Sequence, residues 1–162
     1  MTTSTAGETT FTTPSDREIE MSRLFDAPRE LVFEAFTTPE HLSQWFGPRG
    51  WSVPLCEIDL RPGGAWRYIL RGPNGEEMGM SGVYREIAPP ERVVTTESFD
   101  DYPGESLNTL RLTEEAGKTR YTVNVLYADK ETRDAVLASG MSEGASETLE
   151  RLAERLESLQ EK

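Results

Sequence analysis

The sequence has one cysteine, one histidine and no long apolar run, and each shortage excludes a class of protein. Cys56 stands alone, so an internal disulfide is impossible, and its place in an apolar strand pattern is typical of a small core residue. His41 is the only candidate imidazole for a zinc site or a hydrolytic triad, and a solvated surface histidine is the simpler interpretation. We therefore expect no metal, no cofactor and no residue that can be singled out as catalytic.

Basic residues are also scarce. There are 17 Lys and Arg residues against 29 Asp and Glu, which gives a formal net charge of −12. Phosphate backbones and anionic membrane surfaces require clustered positive charge, so we expect neither nucleic acid nor a membrane surface as a partner. No stretch reaches the roughly 20 apolar residues of a membrane span, and no charged-then-apolar leader opens the chain. The expected compartment is the cytoplasm.

The clearest positive signal is a long amphipathic helix at the end of the chain, over residues 139–162. Apolar residues recur there every three or four positions, which places them on one stripe of a helix. Charged residues, Arg151 among them, are predicted to fill the opposite side. The predicted stripe consists of Met141, Ala145, Leu149, Leu152, Leu156 and Leu159.

The opposite end of the chain has little apolar character. Residues 1–16 are rich in Thr and Ser, which predicts a disordered tail, with order beginning near Arg17. Alternation from Arg17 to Phe25 predicts a half-buried strand. Arg23 falls on the apolar side of that strand, where it should reach solvent at the strand end or meet a carboxylate.

Between these ends the pattern predicts two short helices and then a meander of strands. Pro28 and Pro39 mark the helix starts, and Gly47-Pro48 ends the second helix. Period-two alternation and turn signals then predict strands near residues 53–61, 65–71, 76–87, 92–99, 107–113 and 119–127. A segment over residues 130–138 is predicted to be helical. We find no repeat and no linker, so residues 17–162 are predicted to form a single α+β domain.

Several local motifs resemble one superfamily. They are Arg23-Leu-Phe-Asp-Ala-Pro28, Trp45-Phe-Gly-Pro48, Glu57-Ile-Asp-Leu-Arg-Pro-Gly-Gly64, Trp66-Arg-Tyr68 and Gly82-Val-Tyr-Arg-Glu-Ile87 with Pro89-Pro90. Together they resemble the START-like (SRPBCC) superfamily, and within it homologues of the activator of the 90-kDa heat-shock-protein ATPase. The resemblance implies a helix-grip fold: an antiparallel sheet of about six to seven strands curved around the C-terminal helix, with two short helices after strand 1.

The resemblance also implies an apolar cavity between the sheet and the last helix. We predict that this cavity binds a small hydrophobic molecule, because large side chains with a few hydroxyl tips are expected to line it. A wall in which these rings fill the space and leave no cavity is the alternative. The predicted lining residues are Trp45, Trp66, Tyr68, Met80, Tyr84, Tyr127 and Met141, the last at a position where many relatives carry Trp.

Two other functions remain open at this stage. Superfamily members include polyketide cyclases, and a cavity enzyme of cyclase type could use Tyr68, Tyr84, Glu86 or Arg23. The family name suggests a co-chaperone that stimulates the heat-shock-protein ATPase, although this single domain has no added module for a large partner. A pull-down with that ATPase tests the co-chaperone function, and a homodimer is compatible with the sequence.

Overall fold

The fold is an α+β arrangement of one antiparallel sheet and four helices in a computed structural model that describes residues 9–102 and 104–161. The strands are β1 (Thr10–Thr12), β2 (Glu18–Phe25), β3 (Ser52–Ile58), β4 (Ala65–Arg71), β5 (Glu77–Ala88), β6 (Arg92–Phe99), β7 (Ser106–Glu115) and β8 (Lys118–Leu126). The helices are α1 (Arg29–Thr37), α2 (Pro39–Leu42), α3 (Lys130–Ala138) and α4 (Met141–Gln160).

The sheet order is β1-β2-β8-β7-β6-β5-β4-β3, with every neighbouring pair antiparallel. β3 to β8 form a meander, because consecutive strands pair with each other. β2 precedes the two short helices in the chain but pairs with β8, so the excursion through α1 and α2 returns to the far edge of the sheet. This arrangement confirms the predicted fold class of a single antiparallel sheet with a long C-terminal helix.

The strand count differs from the prediction because a strand lies inside the predicted tail. β1 pairs with β2 through Thr10–Ser22, Phe11–Met21 and Thr12–Glu20, which brings the sheet to eight strands among the residues described. Composition could not find β1, because three residues flanked by Thr and Ser have no readable alternation. Residues 1–8 of the predicted tail lie outside the described residues.

The two short helices begin at or next to the prolines that the sequence analysis used as start signals. α1 begins after Pro28, which has extended backbone dihedrals and provides no side-chain cap. Thr38 ends α1 and begins α2, with Pro39 in the first turn of α2. The buried α1 residues Val32, Phe33 and Ala35 pack into the main core.

The last helix lies against this core as the apolar stripe predicts. Gly140 ends the preceding segment in a left-handed conformation, with φ of 83°, which an L-residue rarely adopts. Leu149, Leu152 and Leu156 are 2 % exposed or less and belong to the main apolar cluster. Burying a leucine side chain stabilises a fold by about 1.5–3 kcal/mol, so this stripe fixes α4 on the sheet.

Candidate ligand site between the sheet and the last helix

The sheet face that carries the core has a polar centre. On β6 the odd-numbered residues Val93, Thr95, Glu97 and Phe99 pair with core-facing residues of the neighbouring strands. Glu97 lies opposite Ser106 on β7, and Asn108 lies two residues further along the same strand. The sequence left the facing of β6 ambiguous, because Val93 and Val94 are both apolar; both are in fact buried.

Glu97 is the titratable group of this centre. Burial raises the pKa of the Glu97 carboxyl, and a hydrogen bond with Asn108 partly opposes the shift. Burial and then the charge of Glu97 raise the pKa of Tyr127 to about 12, and the same two causes raise the pKa of Tyr121. A half-buried carboxyl among tyrosine hydroxyls therefore lies on the core-facing side of the sheet. Sequence analysis missed it.

Five of the seven predicted lining residues lie in the packed core. Trp45, Trp66, Tyr68, Met80 and Tyr84 are each 8 % exposed or less and belong to one apolar cluster. The rings pack on one another, with centroid distances of 4.6 Å between Trp66 and Tyr68 and 5.2 Å between Phe46 and Tyr68. Trp45 also donates its indole N–H to the Ala35 carbonyl at 3.1 Å, so its place is fixed.

The other two predicted lining residues, Tyr127 and Met141, are half-buried. Tyr127 follows β8, and its backbone N–H donates to the Arg17 carbonyl at 2.8 Å. Met141 opens α4. Whether the seven residues touch a ligand therefore stays a prediction, and the packing of the first five agrees with the alternative in which the rings fill their own space.

A cavity of about 570 Å³ lies elsewhere, between the end of β2 and the last turns of α4. Its buried wall contains Arg23, Phe25 and Leu156, which are 7 %, 1 % and 2 % exposed. Its rim carries exposed carboxylates of the α4 end and of the residue that follows β2. The complete lining is Arg23, Leu24, Phe25, Asp26, Ala153, Leu156, Glu157, Gln160 and Glu161.

Arg23 differs from the sequence expectation. Its side chain is 7 % exposed and lines the cavity between β2 and α4, so most of it is withdrawn from solvent. Its Nε and Nη1 atoms have no hydrogen-bond partner within the described part of the chain. The guanidinium carbon lies 5.1 Å from the centroid of the Phe25 ring. Burial lowers the pKa of Arg23, and the charge of Glu150 opposes that shift.

Arg151 also differs from the expectation, which placed it on the solvent side of α4. Its Nη1 atom donates to the carbonyls of Gly47 at 2.8 Å and Pro48 at 3.1 Å, and lies 3.3 Å from those of Phe46 and Trp51. Its Nη2 atom lies 3.4 Å from the Gln44 carbonyl. Arg151 therefore ties the α2–β3 loop to α4.

A second cavity of about 460 Å³ lies against β3 to β6. Trp66 contributes to its lining, together with Arg67, Ser81, Gly82 and Val83 among others. The Trp66 indole nitrogen is buried, with no acceptor among the residues that the structure describes. Of the predicted lining residues, Trp66 is the one that reaches either of these two cavities.

The histidine is tied into the surface and is not freely solvated. His41 Nδ1 lies 3.4 Å from Arg155 Nη2, and His41 Nε2 lies 3.4 Å from a Glu34 carboxylate oxygen. This arrangement suits a neutral ring that carries its proton on Nε2, because the arginine can only donate. Within residues 9–102 and 104–161, no group of three His, Cys, Asp or Glu side chains is arranged to hold a metal ion.

The antiparallel sheet and the long C-terminal helix define an α+β class of protein. Sequence comparison then identifies the family. The sequence profile of the family described as Activator of Hsp90 ATPase homolog 1-like protein matches residues 26–157. The chain belongs to that family, and the resemblance to the START-like superfamily is confirmed. No curated protein matches the sequence.

Solved structures agree with this assignment. A protein from Rhodobacter sphaeroides is 34 % identical, with a TM-score of 0.88 over 94 % of this chain and 100 % of its own. Protein Ms6760 from Mycobacterium smegmatis is 27 % identical, with a TM-score of 0.84 over 93 % and 98 %. Protein NE0264 from Nitrosomonas europaea is 27 % identical, with a TM-score of 0.82 over 90 % and 97 %. Among the described residues, no helix is both long and apolar enough to cross a bilayer.

Proposed function

We propose that this chain binds a small hydrophobic molecule in the cavity between β2 and α4. The observation that supports the proposal is the 570 Å³ space between the sheet and the C-terminal helix, walled by Phe25, Ala153 and Leu156. Small-molecule sites usually have volumes of about 300–1,000 Å³ and combine apolar walls with a few polar groups. This cavity has a volume in that range, with four apolar and five polar lining residues. None of the seven residues that the sequence predicted as lining is among its lining residues.

The test uses ligand titration on the wild-type protein and on a variant with a filled cavity. Ala153 lines the cavity from α4, so Ala153→Phe places a ring where the ligand would lie. Leu137→Phe is the matched control, because Leu137 is exposed on α3 and lines neither cavity. A panel of linear and flat hydrophobic molecules is titrated by calorimetry, and co-purified compounds are sought by native mass spectrometry.

We expect binding by the wild type and by Leu137→Phe, and at least about tenfold weaker binding by Ala153→Phe, because the added ring occupies the ligand's volume. If no member of the panel binds and nothing co-purifies, the proposal fails. Equal binding by Ala153→Phe and the wild type would move the ligand to another part of the interior.

A cavity enzyme is a second candidate, supported by Glu97. Burial raises the pKa of the Glu97 carboxyl, which favours a role in proton transfer, and the charge of Glu97 acts on Tyr121 and Tyr127. Glu97→Gln keeps the shape of the side chain and removes its proton transfer. If the protein is an enzyme, this variant should retain ligand binding and lose conversion, as followed by mass spectrometry of the bound compound.

A further inference from the structure

Arg23 carries a charge that the fold leaves without a partner. Its side chain is 7 % exposed, and two of its guanidinium nitrogens, Nε and Nη1, are buried with no acceptor among the described residues. A buried cation that lacks a hydrogen-bonded counterpart destabilises a fold, so a native protein seldom retains one without use. The face of the Phe25 ring, 5.1 Å away, compensates only part of this.

The carboxylates near Arg23 lie around the cavity and do not satisfy its guanidinium. Glu150 acts on Arg23 through its charge, and no ion pair within 4.0 Å joins Arg23 to an acid among the residues described. Asp26, Glu157 and Glu161 line the cavity as exposed residues. The electrostatic arrangement is therefore a buried positive charge behind a negative rim.

This arrangement selects among ligands. An apolar body fits against Phe25, Ala153 and Leu156, and a small anion at one end can accept hydrogen bonds from the guanidinium of Arg23. Nε and Nη1 are buried, so Nη2 is the guanidinium nitrogen that a carboxylate in the cavity can reach, through a charge-assisted hydrogen bond. A doubly charged phosphate would meet stronger repulsion from the rim and from a chain of net charge −12.

We propose that the β2–α4 cavity takes a small amphipathic monocarboxylate, with the carboxylate held by Arg23 and the hydrocarbon part along Phe25 and Leu156. The inference rests on the proposed function and names the chemical class of its ligand. Arg23 is the specificity-determining residue: it separates an acid from a neutral molecule of the same shape.

The experiment compares octanoate with octanamide, which has the same chain and a neutral head. Both are titrated by calorimetry into the wild type, Arg23→Gln and Arg71→Gln. Arg71 is the matched control, because it is exposed on β4 and paired with Glu77 at 2.7 Å, outside the cavity lining. Removing either arginine changes the net charge equally, so long-range electrostatics are held constant.

We expect the wild type and Arg71→Gln to bind octanoate at least about tenfold more tightly than octanamide, since a charge-assisted hydrogen bond is lost with the amide. Arg23→Gln should bind the two equally. If the wild type binds both compounds with equal affinity, the carboxylate inference fails while the proposed function stands. If it binds neither, the carboxylate inference fails, and the wider panel of hydrophobic molecules decides the proposed function.

A stability measurement separates a ligand anchor from a structural arginine. Arg23→Met keeps the unbranched apolar stem and removes the unpartnered charge, so we expect the melting temperature of the ligand-free protein to rise. Octanoate should then raise the melting temperature of the wild type more than that of the variant. A melting temperature of Arg23→Met several degrees below that of the wild type would mean that the guanidinium holds the fold, and would overturn the inference.

Discussion

Arg23, buried on β2, and Arg151, half-buried on α4, differ in whether the fold supplies hydrogen-bond acceptors to the guanidinium. Burial lowers the pKa of each. Arg151 Nη1 lies within 3.3 Å of four backbone carbonyls, whereas Arg23 leaves Nε and Nη1 without an acceptor among the described residues. Arg151 holds the α2–β3 loop against α4, and Arg23 lines a cavity of about 570 Å³.

The difference shows how burial of the same side chain can serve structure or binding. The loop from Ser43 to Trp51 turns its carbonyls inward, and buried carbonyls need donors. Arg151 supplies these donors from α4, so its hydrogen-bonding groups are already used within the fold. No carbonyl of the described chain does the same for Arg23, whose Nε and Nη1 atoms are buried without an acceptor.

The largest expected effect follows from removing Arg151. Arg151→Met should lower the free energy of unfolding by about 2–3 kcal/mol, because the loop carbonyls of Gly47 and Pro48 lose a charged donor. Chemical denaturation monitored by tryptophan fluorescence measures the change. The sequence pattern predicted no effect here, since it placed Arg151 on the solvent face of α4.

Arg155→Met is the matched control for this prediction, because Arg155 lies one turn further along α4 and contacts only His41, at 3.4 Å, among the hydrogen bonds of the described residues. We expect it to cost clearly less than Arg151→Met. Equal costs for the two would contradict the role assigned to the loop carbonyls.

Another arginine, Arg133, extends the comparison to the start of the chain. It is 8 % exposed, and its Nη1 donates to the Ser15 carbonyl at 2.7 Å. Deleting residues 1–15 removes this acceptor and β1. We therefore expect the free energy of unfolding to fall by about 1–3 kcal/mol, where composition alone predicts no change.

A double-mutant cycle tests the cause. Arg133→Met is made in the full chain and in the truncated chain, and each is unfolded by denaturant. The truncation should cost less in the Arg133→Met background, because the lost hydrogen bond is already absent. Strict additivity of the two changes would attribute the loss to β1 alone.

These arginines also mark the limit of what the sequence could predict. Local periodicity predicted α4 and the buried faces of β4 and β8, because those patterns depend on which side of one element is apolar. The inward faces of Trp66 and Tyr68 are confirmed on these grounds. The motifs predicted the family, which the profile match confirms.

The partners of Arg133 and Arg151, and the cavity beside Arg23, depend instead on residues roughly 100 or more positions apart, where periodicity gives no signal. The cavity that we propose as the ligand site differs from the predicted one for the same reason. Apolar patterning predicts that Trp45 and Trp66 point inward, but it cannot separate an aromatic ring that fills space from one that borders a cavity.

Glu97 is expected to have a smaller effect on stability, and this effect depends on pH. Its pKa is raised in the folded chain, mainly by burial, so the folded state favours the protonated acid. Stability should therefore fall as the pH rises from the unfolded-state value of about 4.3 through the folded-state pKa. Glu97→Gln should be more stable than the wild type at pH 7, and the difference should vanish below about pH 4. A pH-independent difference would place its cause in packing.

The smallest expected effect concerns the rim of the cavity near Arg23. Glu157 lines the cavity as an exposed residue, and its charge repels an entering carboxylate. Glu157→Gln should tighten octanoate binding by about twofold at low salt, the size of a single charge acting across several ångströms of water. The gain should shrink at high salt, where such charges are screened within about 3 Å at 1 M.

Glu143→Gln removes an equal charge from the other end of α4 and should leave the affinity unchanged. Octanamide should not respond to Glu157→Gln, because it has no charge for the rim to repel. A gain of equal size for octanamide would mean that Glu157 acts by obstruction, and Arg23 would then face an uncharged entrance.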